Sequence, residues 1–362
     1  MLALVLAAAL VPVNPASAPA GAVDAPALGK RAVAVLTQYS FEGDPEARAI
    51  VAAAWGQIGN PAALPLLRKA LKDHNVAVRI EAATSLHKLG DDPSAKAALE
   101  AIIVKTSSAP ARSARDEYRD LARDKARAKA ILRLSDFGGE EAANLFETTL
   151  EDPSPVVRDA TSLGLAHMGL DEFAAPFLDA AHSTDEGVRA AAARSLGGIG
   201  RSDYVAALKD LAADSSADVR LAAIEALAGL DGSLTASTFA DALRDADARV
   251  RAKALWALSR VADPNTTAVL RQTLNDSKAS DVILECEAGL ALRGEKVDLD
   301  LAQRALGLKD ADLKALALEV LKASSSDEAT AMLQRVMESD RDTRLRLWAA
   351  TALVRRLQRR GA

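Results

Sequence analysis

The chain contains few of the residue types that carry most protein chemistry. Its 362 residues include one cysteine and four histidines, and only 3% of them are aromatic. One cysteine excludes an internal disulfide, and we interpret Cys286 as a buried structural thiol. So few aromatic residues argue against base-stacking platforms and carbohydrate clefts. The net charge of −5 and the pI near 5.6 disfavour a general nucleic-acid-binding surface.

One pattern recurs along most of the chain. The second residue of a Val-Arg-like pair, called the anchor below, returns at intervals of 31 residues, with two intervals of 32 and one of 48. A fixed period of this size indicates stacked supersecondary units, because each unit must bury its apolar face against a neighbour. The ten anchors are Arg48, Arg79, Arg127, Arg158, Arg189, Arg220, Arg251, Ile283, Lys314 and Arg346.

The residues that follow each anchor predict an α-helix. Apolar residues one before and three, seven and ten after the anchor share one helical face. Offset seven is always large, with Trp55 in the first repeat and leucine in the others, whereas offsets three and six are mostly small and allow close helix approach. Six glycines lie at offset eleven, where a left-handed cap is expected: Gly59, Gly90, Gly138, Gly169, Gly200 and Gly294.

A second apolar run between successive anchors, such as residues 204–212, predicts another helix. Each repeat is therefore expected to be a helical hairpin, with helix A followed by the anchor-bearing helix B. Five aspartates stand six residues before an anchor and are expected to cap helix B: Asp73, Asp152, Asp214, Asp245 and Asp340.

The signature D-x-x-x-x-V-R-x-x-A-x-x-x-L-x-x-I-G at this period resembles HEAT repeats, and most of all the bilin-lyase (phycobilisome lyase) HEAT-like subgroup. The resemblance covers roughly residues 27 to 360. It implies an all-α, right-handed α-solenoid of about ten stacked hairpins, with the B helices on the concave side. It also implies a structural ladder of Asp and Arg side chains between neighbouring repeats, with the members Asp73/Arg79, Asp152/Arg158, Asp214/Arg220, Asp245/Arg251 and Asp340/Arg346.

Two departures interrupt the pattern. Ile283 replaces the basic anchor, which should weaken the ladder around it. The 48-residue interval contains about 17 extra residues, an insert near residues 105–125, and the stretch 105–129 is predicted to be a loop followed by a charged helix. We interpret the insert as a solvated extension, with a docking element as the alternative.

The N-terminal residues predict export. Residues 1–22 contain an apolar run with the length of a signal-peptide core, and Ala18-Pro19-Ala20 followed by Gly21 fits a small-residue cleavage site, although a positively charged start is missing. We therefore expect residues 1–22 to be a signal peptide, residues 23–362 to form the solenoid, and the protein to be periplasmic or secreted.

Enzymes are also built from similar repeats, namely the bilin lyases and the di-iron deoxyhypusine hydroxylase. A hydroxylase-like metal site needs His-Glu pairs on several related helices. His74, His87, His167 and His182 occupy four different repeat offsets, and none precedes a glutamate. GxSxG, HExxH and glycine-rich phosphate motifs are absent from the sequence. We expect no catalytic residue, metal or cofactor; the alternative is a lyase-like or hydroxylase-like enzyme or assembly factor acting on a cofactor-bearing protein.

The face of helix B away from the core stripe contains more apolar residues than a solvated face should. Trp256 is the strongest candidate for a binding hot spot, because its offset of five points away from the core. The predicted binding residues are Trp256, Leu221, Leu284, Leu163 and Leu292, with Arg194, Lys253 and Arg260 beside them. The alternative is that these side chains pack against the next B helix.

These features predict a non-enzymatic scaffold that binds a protein or peptide along the concave B-helix surface. We expect no nucleic-acid partner and no small-molecule substrate. The C-terminal arginines, Arg355, Arg356, Arg359 and Arg360, are interpreted as a solvated helix end, with contact to an anionic membrane or partner as the alternative.

Overall fold

Helices form all the regular secondary structure that the computed structural model describes. The described residues are 24–104, 113–230, 232–261 and 263–361. The expected signal peptide and the start of the insert lie outside these ranges. Among the described helices, none is both long enough and apolar enough to cross a membrane.

The described residues form twenty α-helices, two for each anchor, and this confirms the predicted all-α solenoid of ten hairpins. Odd-numbered helices are A helices and even-numbered ones are B helices. They are α1 Ala25–Tyr39, α2 Pro45–Ile58, α3 Leu64–Ala70, α4 Val76–Lys88, α5 Asp92–Ile103, α6 Ala114–Leu134, α7 Glu140–Thr149, α8 Pro155–His167, α9 Ala175–Ala180, α10 Glu186–Ile199, α11 Val205–Leu211, α12 Ala217–Leu227, α13 Ala236–Ala242, α14 Ala248–Arg260, α15 Pro264–Asp276, α16 Ser280–Leu292, α17 Asp300–Leu306, α18 Ala311–Ala323, α19 Asp327–Ser339 and α20 Thr343–Gly361.

The helices divide into two compact units. The first contains the described residues up to Thr161 together with those from Ser326, and the second contains the described residues from Ser162 to Ser325. Within the second unit, each B helix from α10 to α18 packs on the next B helix. This stacking is what the short repeat period predicts, because a hairpin alone cannot bury its apolar face.

The first unit contains both ends of the repeat array. Helix α20 packs against α1 and α2, so the last repeat is a neighbour of the first. Two exposed ion pairs also join the end repeats, Arg31 of α1 with Glu338 of α19 at 3.3 Å and Arg344 of α20 with Glu46 of α2 at 3.8 Å. The sequence does not predict this contact, because the first and last repeats have the same residue pattern as the internal repeats.

The expected glycine caps are present. All six glycines at offset eleven have positive φ, for example 74° at Gly59 and 75° at Gly200, which a side chain would disfavour. The aspartates six before the anchors, in contrast, are not the N-caps of the B helices. Asp245 accepts from the backbone N–H of Asp247 at 2.8 Å, and Asp247 is the cap of α14. The predicted capping aspartate thus stabilises the turn before the cap.

Large side chains at offset seven form the centre of the core. Trp55 and the nine leucines at this offset are each at most 4% exposed.

The small residues lie where neighbouring B helices approach most closely. A Cβ atom added to Gly197 of α10 would lie 2.4 Å from the Cβ of Ala226 on α12, and one added to Gly56 of α2 would lie 2.8 Å from the Cβ of Ser85 on α4. Residues at offset eight of one repeat therefore meet residues at offset six of the next.

The Asp–Arg ladder exists, and its ion pairs join adjacent repeats. Arg220 does not pair with the Asp214 carboxylate of its own repeat. It donates to both carboxylate oxygens of Asp245 in the next repeat, at 2.7 and 2.8 Å, and to the backbone carbonyl of Asp214 at 2.9 Å. The same kind of ion pair, called a rung below, also joins Arg48 to Asp73, Arg127 to Asp152 and Arg189 to Asp214. Arg220 thus connects the turn of its own repeat to the turn of the next.

The rungs are partly shielded from water. Side chains of the Arg220–Asp245 pair are 16% and 10% exposed. Hydrogen bonds from Arg189 hold the pKa of Asp214 at about 2, below its usual 3.8, so this rung stays ionised far into the acid range. A bidentate guanidinium–carboxylate pair with little solvent access is both directional and weakly screened.

In the repeat where Ile283 replaces the basic anchor, another arginine connects this repeat to the preceding one. Arg293, at the end of α16, donates to the backbone carbonyls of Leu258 and Ser259 at the end of α14, at 3.1 and 2.8 Å. It also donates to the hydroxyl of Thr266 at 2.6 Å. Burial lowers the pKa of this guanidinium.

We expect Arg220→Ala to lower the free energy of unfolding by about 2 kcal/mol, because it leaves the shielded carboxylate of Asp245 without its cation. The control is Arg244→Ala, which removes an arginine that is 82% exposed and paired with an equally exposed Asp241; its cost should stay below about 0.5 kcal/mol. Urea denaturation of both variants measures the difference. Equal and negligible shifts would show that the rungs do not stabilise the stack.

Candidate binding surface

Trp256 lies on the exposed side of α14, as its offset predicts. Its side chain is 38% exposed, whereas Trp55 at the core offset is 1% exposed. Two cations contact its ring: Lys253 Nζ is 4.9 Å and Arg260 Cζ is 4.5 Å from the ring centroid. Such contacts are favourable and restrict the motion of a large exposed side chain.

Neighbouring helices supply counter-ions for both cations. Lys253 pairs with Glu225 of α12 at 3.2 Å, and Arg260 pairs with the buried Glu285 of α16. Arg260 also donates to the carbonyl of Trp256 at 2.8 Å. The tryptophan is thus held in place by ion pairs with the repeat before it and the repeat after it.

A cavity of about 690 Å³ lies between α10 and α12. Leu221 and two alanines provide its apolar lining, and its charged lining consists of one arginine and four carboxylates: Arg194, Asp185, Glu186, Asp218 and Glu225. Arg194 is exposed and makes no hydrogen bond or ion pair within the described ranges. Glu225 connects this cavity to Trp256, because it lines the cavity and pairs with Lys253.

The structure thus brings five of the predicted binding residues into one continuous region. We call this region the Trp256 surface and define it by Arg194, Leu221, Glu225, Lys253, Trp256 and Arg260. Glu225 was not predicted. Glu225 has the same offset of five as Arg194 and Trp256, so its position on this face follows from the repeat. It was not among the predicted residues because that prediction rested on apolar residues at exposed offsets.

Three predicted leucines lie outside the Trp256 surface. Leu284 is fully buried, so its prediction as an exposed binding residue is wrong. Helix α18 packs on α16, and residues 284–291 are all buried. Leu163 is half-buried and lies near α10, with its Cδ1 3.8 Å from the position of a Cβ built on Gly198. Leu292 is 59% exposed at the end of α16.

A family model for HEAT repeats matches residues 33–119, 143–228 and 205–291. These matches cover more than half of the chain. The chain belongs to the HEAT-repeat family. This confirms the resemblance drawn from the repeated signature. A search of curated proteins gives no match.

Solved structures resemble this HEAT-repeat chain at low identity. Human deoxyhypusine hydroxylase in complex with glycerol is 18% identical, with 73% of this chain and 96% of that chain covered and a TM-score of 0.33. The complex of CpcE and CpcF of phycocyanin lyase from Nostoc sp. PCC7120 is 20% identical, covers 71% and 94%, and has a TM-score of 0.36. Legionella pneumophila aminopeptidase A in complex with aspartic acid is 13% identical, covers 72% and 38%, and has a TM-score of 0.47. At sequence identities and TM-scores this low, these similarities support no conclusion about function.

Potential metal ligands are dispersed over the part of the chain that the structure describes. No group of three or more His, Cys, Asp or Glu residues is arranged to hold a metal there. Two histidines have specific contacts: His87 Nδ1 is 2.8 Å from a carboxylate oxygen of Asp92, and His167 Nδ1 is 2.6 Å from the carbonyl oxygen of Ile199.

Cys286 has the buried position that the sequence predicts. It is fully buried, and desolvation together with the nearby Glu285 and Glu287 raises its pKa to about 12. The thiol is therefore protonated and unreactive at neutral pH.

The C-terminal arginines do not all form a solvated helix end. Arg356 is 9% exposed and donates to the hydroxyl of Thr330 at 2.9 Å. The interpretation of this residue as solvated is therefore wrong, because α20 packs on α19 and covers it.

Glu287 is a buried carboxyl group with incomplete hydrogen bonding. It is 5% exposed, and its Oε2 has no hydrogen-bond partner among the described atoms. Burial, aided by the negative charge of Asp298, raises its pKa from 4.5 to about 7. The folded protein thus keeps this proton over a pH range in which the unfolded chain has lost it.

This raised pKa predicts a pH dependence of stability. The contribution is fully present below about pH 4.5 and is lost as the pH rises to about 7, which lowers the free energy of unfolding by roughly 2–3 kcal/mol. Glu287→Gln keeps the shape without the charge and should remove this decline. Denaturation at pH 5 and pH 8 measures it, with the exposed Glu172→Gln as control. A decline in Glu287→Gln as large as that in the unsubstituted protein would contradict the assignment.

Proposed function

We propose that this HEAT-repeat chain is a non-enzymatic scaffold that binds a protein or peptide partner at the Trp256 surface. The observation that carries the proposal is the partly exposed Trp256, held by Lys253 and Arg260, whose own counter-ions come from adjacent repeats. A large aromatic side chain fixed before binding loses little entropy when a partner covers it.

The cavity beside Trp256 supports the same proposal. Leu221 gives an apolar side chain of the partner a place to pack, and Arg194 offers an unpaired guanidinium for a backbone carbonyl, whereas the four carboxylates of the lining disfavour an acidic side chain. Apolar lining with a polar edge is the usual anatomy of a protein-binding region. We also propose that the protein is exported and meets its partner in the periplasm or outside the cell.

Replacement of Trp256 tests this proposal. Trp256→Ala should weaken partner binding at least 30-fold, about 2 kcal/mol, because a central aromatic residue carries much of the binding energy. The measurement is quantitative affinity capture from the native cell, followed by titration with the purified partner.

Trp348→Ala is the matched control. Trp348 is 36% exposed on α20, so its loss should disturb folding about as much as the loss of Trp256. We expect this control to keep full binding. Equal binding by both variants, or equal losses in both, would contradict the assignment of the Trp256 surface.

A further inference from the structure

Helix α6 extends beyond the other B helices. It begins at Ala114, thirteen residues before its anchor Arg127, whereas α8 and α14 begin three residues before theirs. The additional N-terminal turns come from the insert. The repeat stack does not need them, because the nine other repeats form without them.

One side of this extension is neutralised by its own ion pairs. Arg119 pairs with Asp116 at 3.2 Å, and Arg123 pairs with Asp120 at 3.0 Å and with Asp124 at 2.9 Å. This side continues toward the buried face of the helix, where Arg127 forms its rung with Asp152. Most of the acidic charge of the extension is therefore already compensated.

The opposite side presents apolar groups and unpaired cations. Tyr118 is 77% exposed and Leu121 is 43% exposed. The helical period places Arg115 and Lys125 on the same side, one turn before Tyr118 and one turn after Leu121. Both are exposed, and neither has an ion pair or hydrogen bond within the ranges that the structure describes. Glu117 is the one acidic residue at the edge of this side.

We propose that this side of α6, the insert face, docks an acidic segment of a partner protein. The insert face consists of Arg115, Tyr118, Leu121 and Lys125. Tyr118 and Leu121 would cover an apolar side chain of the segment, while its Asp or Glu residues pair with Arg115 and Lys125. A second copy of this chain fits less well, because antiparallel pairing of two insert faces sets Arg115 against Lys125.

Selection from a library of random 12-residue displayed peptides tests the insert face, with the full-length protein as bait. We expect acidic peptides with at least one large apolar residue to be enriched. Their binding should fall at least tenfold in Tyr118→Ala/Leu121→Ala, which keeps good helix formers at exposed positions. It should fall similarly in Arg115→Glu/Lys125→Glu and on raising the salt from 0.1 to 1 M.

Trp256→Ala is the control for the Trp256 surface and should leave these peptides bound. The proposal for the insert face and the proposed function at the Trp256 surface can therefore fail independently. Circular dichroism and thermal midpoints verify that each variant is folded. A selection that yields no Tyr118-dependent peptide, or yields basic ones, overturns the proposal. Tyr118-dependent binding to phosphatidylserine vesicles, or a Tyr118-dependent dimer in sedimentation velocity, also overturns it and identifies a membrane or a second copy as the occupant.

Discussion

The close approach of neighbouring B helices is the constraint on which the rest of this structure depends. Gly197 leaves no room for a side chain beside Ala226, and Gly289 of α16 is equally crowded, with a built Cβ 2.8 Å from the Cβ of Ser259 on α14. Helices this close bring the turns of adjacent repeats together, so that an arginine of one repeat reaches the aspartate of the next. The alanine-rich composition is thus a requirement of the spacing between helices.

The same spacing determines what remains available for binding. Because small residues occupy the contact between B helices, a large residue at offset five cannot enter it and stays partly exposed, as Trp256 does. Its neighbours at that offset, Arg194 and Glu225, come from the two preceding repeats and lie close enough to form one surface. A regular stack thus assembles a binding surface from residues 31 positions apart in the chain.

Periodicity alone predicts the hairpins, the buried row at offset seven and the glycine caps, because these depend on one repeat and its immediate neighbours. The HEAT-repeat resemblance implies the ladder, but it pairs the members within a repeat and does not include Arg48, Arg127 and Arg189, since spacing along the chain does not show which carboxylate an extended arginine reaches. Burial of Leu284 and of Arg356 depends on how the following or preceding helix packs. The packing of α20 on α1 and α2 joins distant parts of the chain, and the residue pattern within a single repeat does not predict it.

Alanine substitution at two adjacent glycines of α10 tests the central claim directly. A Cβ atom at Gly197 would lie 2.7 Å from the backbone Cα of Ala226, whereas one at Gly198 finds only the Cδ1 of Leu163 at 3.8 Å. Gly197→Ala should therefore lower the free energy of unfolding by about 2 kcal/mol. Gly198→Ala should raise it by up to about 1 kcal/mol through helix propensity. Equal effects of the two substitutions in urea denaturation would show that close helix approach does not hold the repeats together.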